Sequence, residues 1–304
     1  MTNTKFMDKS DLNQFIKNTE KTVLPSKVGP LYPWAERLGR LPKKWQKFFI
    51  ERGSKNDPFI GFVVEPYSFF ISFEITDLQL AQTKLPLGYE LAACSMFEGG
   101  EPKHCAIFSV FNVRSSVFWG NRLELNLIAR STKTGRLSWV IADYESNTIS
   151  FDPGQGFSGS TTKHSVVTTS YKGEVIIDIE SHTSGNKIAL VADLQAAKQR
   201  PLNRPLWVDG NLAVDYGGDL EEDSPPFALI FDPDEMNQAL NIPPDQIELE
   251  HNTFSSEMLK PEPFEALYFP YTKHFLTTSF PIVSTLENEK DLITAVQKYN
   301  EKSK

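Results

Sequence analysis

The stretch Arg122-Leu-Glu-Leu-Asn-Leu-Ile-Ala129 alternates: Leu123, Leu125, Leu127 and Ala129 fall on one side, Arg122, Glu124 and Asn126 on the other. A period of two belongs to a strand with one dry and one polar face. Such a polar row has two uses. On an open antiparallel sheet it is simply solvated. On a sheet curled round a hollow it lines the cavity, and a partly desolvated Glu124 then has a raised pKa suited to moving protons. Arg122 or Arg136 supplies the forked guanidinium that holds a carboxylate.

A second stretch, Asp152-Pro-Gly-Gln-Gly-Phe-Ser-Gly159, contains G-x-G-x-x-G, the spacing that cradles a dinucleotide pyrophosphate when a strand feeds it and a helix leaves it. Upstream, 137–143 and 147–151 are strand-like. Downstream, Ser160 to Thr169 is dominated by β-branched residues that lose χ1 freedom in a helix, so no dinucleotide site is expected. A nucleophile elbow, G-x-S-x-G, is absent. The five histidines (104, 164, 182, 251, 274) lack H-x-x-x-H or H-E-x-x-H spacing, and Asp232-Pro-Asp234 lacks the glycine and distal glutamate of a calcium loop. Neither a metal nor an organic cofactor is expected.

Composition narrows the classes. The 304 residues carry a net charge of −8 without a long basic run, which argues against a nucleic-acid partner. Cys94 and Cys105 are too few for a disulfide framework and are expected as reduced, buried thiols. The N-terminus has no basic region followed by an apolar core, and no apolar run reaches about eighteen residues, so a cytoplasmic protein without a transmembrane segment is expected. The 22 phenylalanines either fill a large core or line an apolar cavity.

These residues need a scaffold, and its elements can be read from periodicity. Ser10 caps a helix that places Leu12, Phe15 and Ile16 on one face. Trp34, Leu38, Leu41, Trp45, Phe48 and Phe49 step by three and four, broken by Pro42 into two short helices. Lys43, Lys44, Lys47 and Arg52 flank these aromatics, so the stretch either packs on its own domain or on a neighbouring subunit of a homo-oligomer, or lies on an anionic membrane. From Phe59 strands dominate: 59–64, 68–75, 105–113, 122–129, 137–143, 165–170, 174–180, 187–193, 207–214 and 228–231, with helices at 77–85 and 233–240. Ser284-x-x-Glu287 reads as a capping box before a last helix. The expectation is an α+β, β-rich fold, an antiparallel barrel-like or double-sheet core with helices outside. It divides into a helical extension (1–55), a β-rich domain (56–283) and a C-terminal helix (284–304).

The order of these features resembles the acetoacetate decarboxylase-like family over roughly Phe69 to Glu180. A helix is followed by Leu85-Pro86, then by a strand with Glu124, then by the glycine segment, whose Gly154 and Gly159 stand where the family's two glycines stand. In that family the segment G-R-E-x-x-G-x-P-K-K supplies an imine-forming lysine. Here Gln155 and Gly156 replace Arg-Glu, Thr161 replaces the proline, Thr162 takes the reactive lysine's place, and Lys163, beside His164, falls on its neighbour. The resemblance implies an enzyme acting on an oxo acid, one with a long apolar tail included. Lys163 and Glu124 are its implied catalytic groups, and Arg122, Asn126, Arg136, Thr162 and His164 its substrate contacts. Two alternatives stay open: a cofactor-free isomerase of an oxo or enoyl fatty acid relying on Glu124, and a protein that binds small apolar carboxylates without catalysis.

Overall fold

The computed structural model describes residues 6–54, 58–115, 119–152, 156–218, 226–279 and 283–303. Helices come first: α1 (Lys9–Thr22), α2 (Pro25–Val28), α3 (Tyr32–Gly39) and α4 (Lys43–Ser54). Then follow β1 (Phe59–Val64), β2 (Ser68–Ile75), α5 (Leu78–Thr83), β3 (Tyr89–Leu91), β4 (Cys105–Ser115), β5 (Trp119–Ser131), β6 (Leu137–Ser146), β7 (Ser150–Asp152) and β8 (Gly156–Ser158). The second half contains β9 (Thr162–Thr169), β10 (Glu174–Ser181), β11 (Lys187–Asp193), β12 (Lys198–Gln199), β13 (Asp215–Tyr216), β14 (Leu229–Ile230) and β15 (Leu240–Ile242). It ends with β16 (Ile247–Asn252), β17 (Leu259–Phe269), β18 (Lys273–Thr278) and α6 (Glu289–Lys302).

The larger sheet runs β12-β15-β17-β2-β4-β1-β18-β14, and β5 lies along the other edge of β4 and carries β3 and β6. Residues 105–110 of β4 pair with β2 and residues 113–115 with β1, so two strands share one edge and the sheet bends there. The smaller sheet, β16-β11-β10-β9, is antiparallel throughout. The fold is thus α+β and rich in strands, with two main sheets and helices outside them.

Alternation along each strand decides what lies where. On one face of the larger sheet Phe69, Ile71, Phe73, Phe108, Leu123, Leu125 and Leu127 meet Val175, Ile177, Ile179 and Leu190 of the smaller sheet. Each such buried side chain contributes about 1.5–3 kcal/mol of transfer free energy. On the opposite face Phe70, Ile107, Ile128 and Trp139 are covered by Trp207, Leu212 and Met236, together with Phe15 of α1 and Leu292 and Val296 of α6. Helix α1 crosses β1 at Gly61, where a Cβ would come within 3.1 Å of Thr19, Thr22 and Tyr299.

Several expectations need correction. Asp8, not Ser10, caps α1: its carboxylate accepts from the Ser10 N–H. The last helix is capped by Asn288 with Asp291 in a reciprocal box, while the Ser284 hydroxyl donates to the Leu212 carbonyl instead. Residues 207–214 do not form a strand. Residues 207–212 belong to a π-turn (Pro205–Asp209) and a 3₁₀ turn (Gly210–Leu212), held by the Trp207 indole donating to Met96 O and the Trp139 indole donating to Leu206 O, and Val214 makes an isolated bridge to Phe227. A short buried apolar run has no periodicity to separate strand from helix, so tertiary partners chose. Strands β16, β17 and β18 are additional to those expected.

Candidate active site

Arg122, Glu124 and Asn126 project from β5 toward the face covered by Trp207 and Met236, because their neighbours Leu123, Leu125 and Leu127 belong to the opposite core. Arg122 Nε lies 2.6 Å from Glu124 Oε1, and the two side chains are 3 % and 17 % exposed. The guanidinium stacks over Tyr144, the cross-strand neighbour of Glu124, at 4.1 Å from the ring centre. Burial works against the Arg122 charge, but Glu124, Tyr216 and Tyr144 offset it and raise its pKa. For Glu124 burial dominates and raises the carboxyl pKa, against the opposing pull of Arg122 and Asn126. Asn126 donates to Ser109 Oγ at 3.0 Å and to Ile107 O at 3.3 Å, which fixes the row's inner end. The β5–β6 register shifts between Leu125 and Asn126, a bulge of the kind that re-aims side chains.

The register carries this row across the sheet. Glu124 pairs with Ser109 of β4, and Ser109 with Phe70 of β2, so all three share one face, Glu124 and Phe70 standing about 10 Å apart by two inter-strand steps. Over Phe70 sits a group that the sequence did not single out, the Lys273 ammonium of β18. Its Nζ is 3.9 Å from the Phe269 ring centre, 4.9 Å from Phe70 and 5.4 Å from Phe275. Lys273 is buried, at 5 % exposure, and burial pushes its pKa down to about 7 against the pull of Glu235. Burial pushes Glu235 up to about 8, and its Oε2 is enclosed without a hydrogen-bond partner. Tyr271 donates to the Glu235 carbonyl. Pro233 and Met236, on the same 3₁₀ turn, line a cleft of about 300 Å³ with Phe97, Leu202, Asn203 and Arg204. In the sequence Lys273 looks like any strand lysine; the faint signal is the alternation Lys273, Phe275 beside buried Leu276.

The other expected residues lie elsewhere. Lys163 and His164 are on β9 of the smaller sheet, which packs against the leucine face of β5, the face opposite to Glu124. The Lys163 side chain is 64 % exposed and 2.8 Å from Glu180 Oε1, which raises its pKa and keeps it charged. His164 Nε2 is 3.0 Å from Asp178 Oδ1, and the neighbouring Thr162 oxygens accept or share contacts from Ser160 Oγ at 3.4 Å. Arg136, at the far end of β6 from Tyr144, donates to Leu286 O at 2.6 Å. So Arg122, Glu124 and Asn126 come together, whereas Lys163, Thr162, His164 and Arg136 do not join them.

The glycine segment forms a hairpin. Strand β7 pairs with β8, Asp152 opposite Gly156, and β9 follows as a strand. Gly156 has φ +83°, and Gly154 and Gln155 lie outside the described residues. Among the described residues the segment is followed by a strand rather than a helix, so the strand–glycine–helix order of a pyrophosphate cradle is not formed. Among the described residues no cluster of three His, Cys, Asp or Glu could hold a metal ion, and no helix is long and apolar enough to cross a membrane.

No known family's sequence model and no curated protein sequence matches the chain. Among solved structures it is similar to the crystal structure of acetoacetate decarboxylase from Legionella pneumophila, at 15 % identity and a TM-score of 0.45, over 71 % of this chain and 84 % of that one.

Proposed function

We propose that the chain is an acetoacetate decarboxylase-like enzyme that converts an oxo acid through an imine at Lys273, with Glu124 as acid/base. The observation that supports this reading is the shared face: a carboxyl with a raised pKa and an amine with a lowered one look into the same side of the larger sheet. A desolvated lysine is partly neutral near pH 7 and nucleophilic. Its nitrogen adds to the ketone carbon and the carbinolamine loses water. The iminium accepts the electron pair released when the adjacent C–CO₂ bond breaks. The enamine carbon takes a proton from Glu124, and water hydrolyses the new iminium to ketone and free amine. Arg122 acts through Glu124, holding it at 2.6 Å, and Phe70, Phe269 and Phe275 form an apolar wall suited to a hydrocarbon tail. Lys163 fits the amine's role poorly, because Glu180 keeps it an ammonium.

Borohydride reduction in the presence of a 3-oxo acid, followed by peptide mass mapping, tests the reading. An adduct on the Lys273 peptide is expected, absent from Lys273→Met and retained in Lys163→Ala; no adduct on Lys273 refutes the imine. Isomerase chemistry would instead survive Lys273→Met and be lost in Glu124→Gln. If neither change affects any turnover while apolar carboxylates raise the melting temperature, the protein is a binder.

A further inference from the structure

Helices α3 and α4 present aromatic side chains to solvent. Trp34 is 61 % exposed, Trp45 55 %, Phe48 47 % and Phe49 45 %. On α4 the spacing 45, 48, 49 sets three rings in one arc, with edge-to-face contacts of 6.1 Å between Trp45 and Phe48 and 5.6 Å between Phe48 and Phe49. The arc is held outward by the fold. Gln46, on another side of α4, is buried; its Oε1 accepts from Phe157 N at 2.9 Å and its Nε2 donates to Leu41 O at 2.8 Å. One side chain thus ties the helix pair to β8 and turns the rings away from the body.

The charge around these rings is opposite to that of the chain. Residues 32–52 contain Arg37, Arg40, Lys43, Lys44, Lys47 and Arg52 against Glu36 and Glu51, a net +4 within a chain of net −8, so the remainder carries −12. All six basic residues are exposed. By helical spacing Arg52 shares the aromatic arc and Lys44 borders it. Aromatic rings at the acyl boundary with Lys and Arg among the headgroups is the arrangement of an interfacial helix. A symmetric dimer through this patch would set +4 against +4, because a two-fold interface pairs a surface with itself.

We propose that α3 and α4 form a docking surface for an anionic lipid bilayer, Trp45, Phe48 and Phe49 entering the interface, Lys44 and Arg52 meeting the headgroups beside them, and the net +4 of the segment drawing it to the surface. The inference stands independently of the reaction proposed above. The full chain is to be sedimented with phosphatidylcholine vesicles, with and without phosphatidylserine, at low and high salt, beside analytical ultracentrifugation without lipid. Expected is binding to the phosphatidylserine vesicles that weakens with salt, falls about fivefold for each of Lys44→Gln and Arg52→Gln, and is lost in Trp45→Ser/Phe48→Ser/Phe49→Ser with an unchanged far-UV spectrum. The Lys44 and Arg52 variants keep the test valid if the aromatic variant misfolds. Equal binding to both vesicle types overturns the proposal. So does an aromatic variant that drops from oligomer to monomer while the parent binds neither vesicle, which would assign the face to a second copy of the chain.

Discussion

Arg122 Nε and Glu124 Oε1 stand 2.6 Å apart, two residues along one strand, with both side chains largely removed from water. An ion pair between i and i+2 on one face of a strand leaves each charge dependent on the other. Removing one partner strands the other. Glu124→Ala is expected to cost about 3–5 kcal/mol in urea unfolding, whereas Arg122→Met/Glu124→Gln is expected to lie near the parent or above it.

The same pair sets a pH dependence. Burial raises the Glu124 pKa above its ordinary value, so the folded state holds this proton more tightly than the unfolded one, and its stabilising contribution is lost as pH rises through the folded pKa. Arg122 opposes that rise. Arg122→Met should therefore shift the loss to higher pH in melting curves; an unchanged profile would mean that Glu124 does not titrate in the folded protein's working range.

Lys273 and Glu235 bend the stability curve in opposite senses. For Lys273, lowered to about 7, the contribution is present above the ordinary lysine value and lost as pH falls through about 7. For Glu235, raised to about 8, it is present below the ordinary carboxyl value and lost as pH rises through about 8. Lys273→Met should favour the fold more at pH 6 than at pH 9, and Lys273→Met/Glu235→Gln, which removes both partners, should match the parent or exceed it by about 1–4 kcal/mol. A gain that is larger at pH 9 would contradict the burial of this amine.

Gly156 couples the hairpin to the helix pair. Its φ of +83° is unfavourable for other residues, and a Cβ there would meet Gln46 Oε1 at 2.5 Å. Gly156→Ala should destabilise by about 1–3 kcal/mol and speed amide exchange in α4 before the sheets are affected. Uniform exchange across the chain would show that Gln46 is not the tie.

Cys94 and Cys105 are buried thiols with sulfurs 3.5 Å apart. The Cys94 contact, burial and the nearby Glu265 push the Cys105 pKa well up, so its thiolate is scarce. Iodoacetamide at pH 8 should modify neither in the folded protein and both in urea; labelling of the folded chain at the unfolded rate would contradict this packing.

How much of this was legible depends on the range of the forces involved. The alternation of 122–129 defined its strand and its polar face, and the runs 174–180 and 187–193 defined a hairpin whose register matches them residue for residue. Pro42 separated α3 from α4 as expected. The stretch 259–278 gave a weaker signal: Pro261 and Pro263 interrupt it, yet β17 forms because β2 supplies its hydrogen-bond partners with shifted register at those prolines.

By itself the sequence determined what depends on neighbours within a few residues: the period-two strands, the helix breaks, and the face on which Arg122, Glu124 and Asn126 stand together. Only the tertiary structure decided which lysine loses its water. Lys163 and Lys273 each lie on a strand, but one ends beside Glu180 in solvent and the other over the Phe70 ring, whose position comes from pairing segments about two hundred residues apart. Desolvation is a property of the surroundings in space, and no local pattern of residues encodes it.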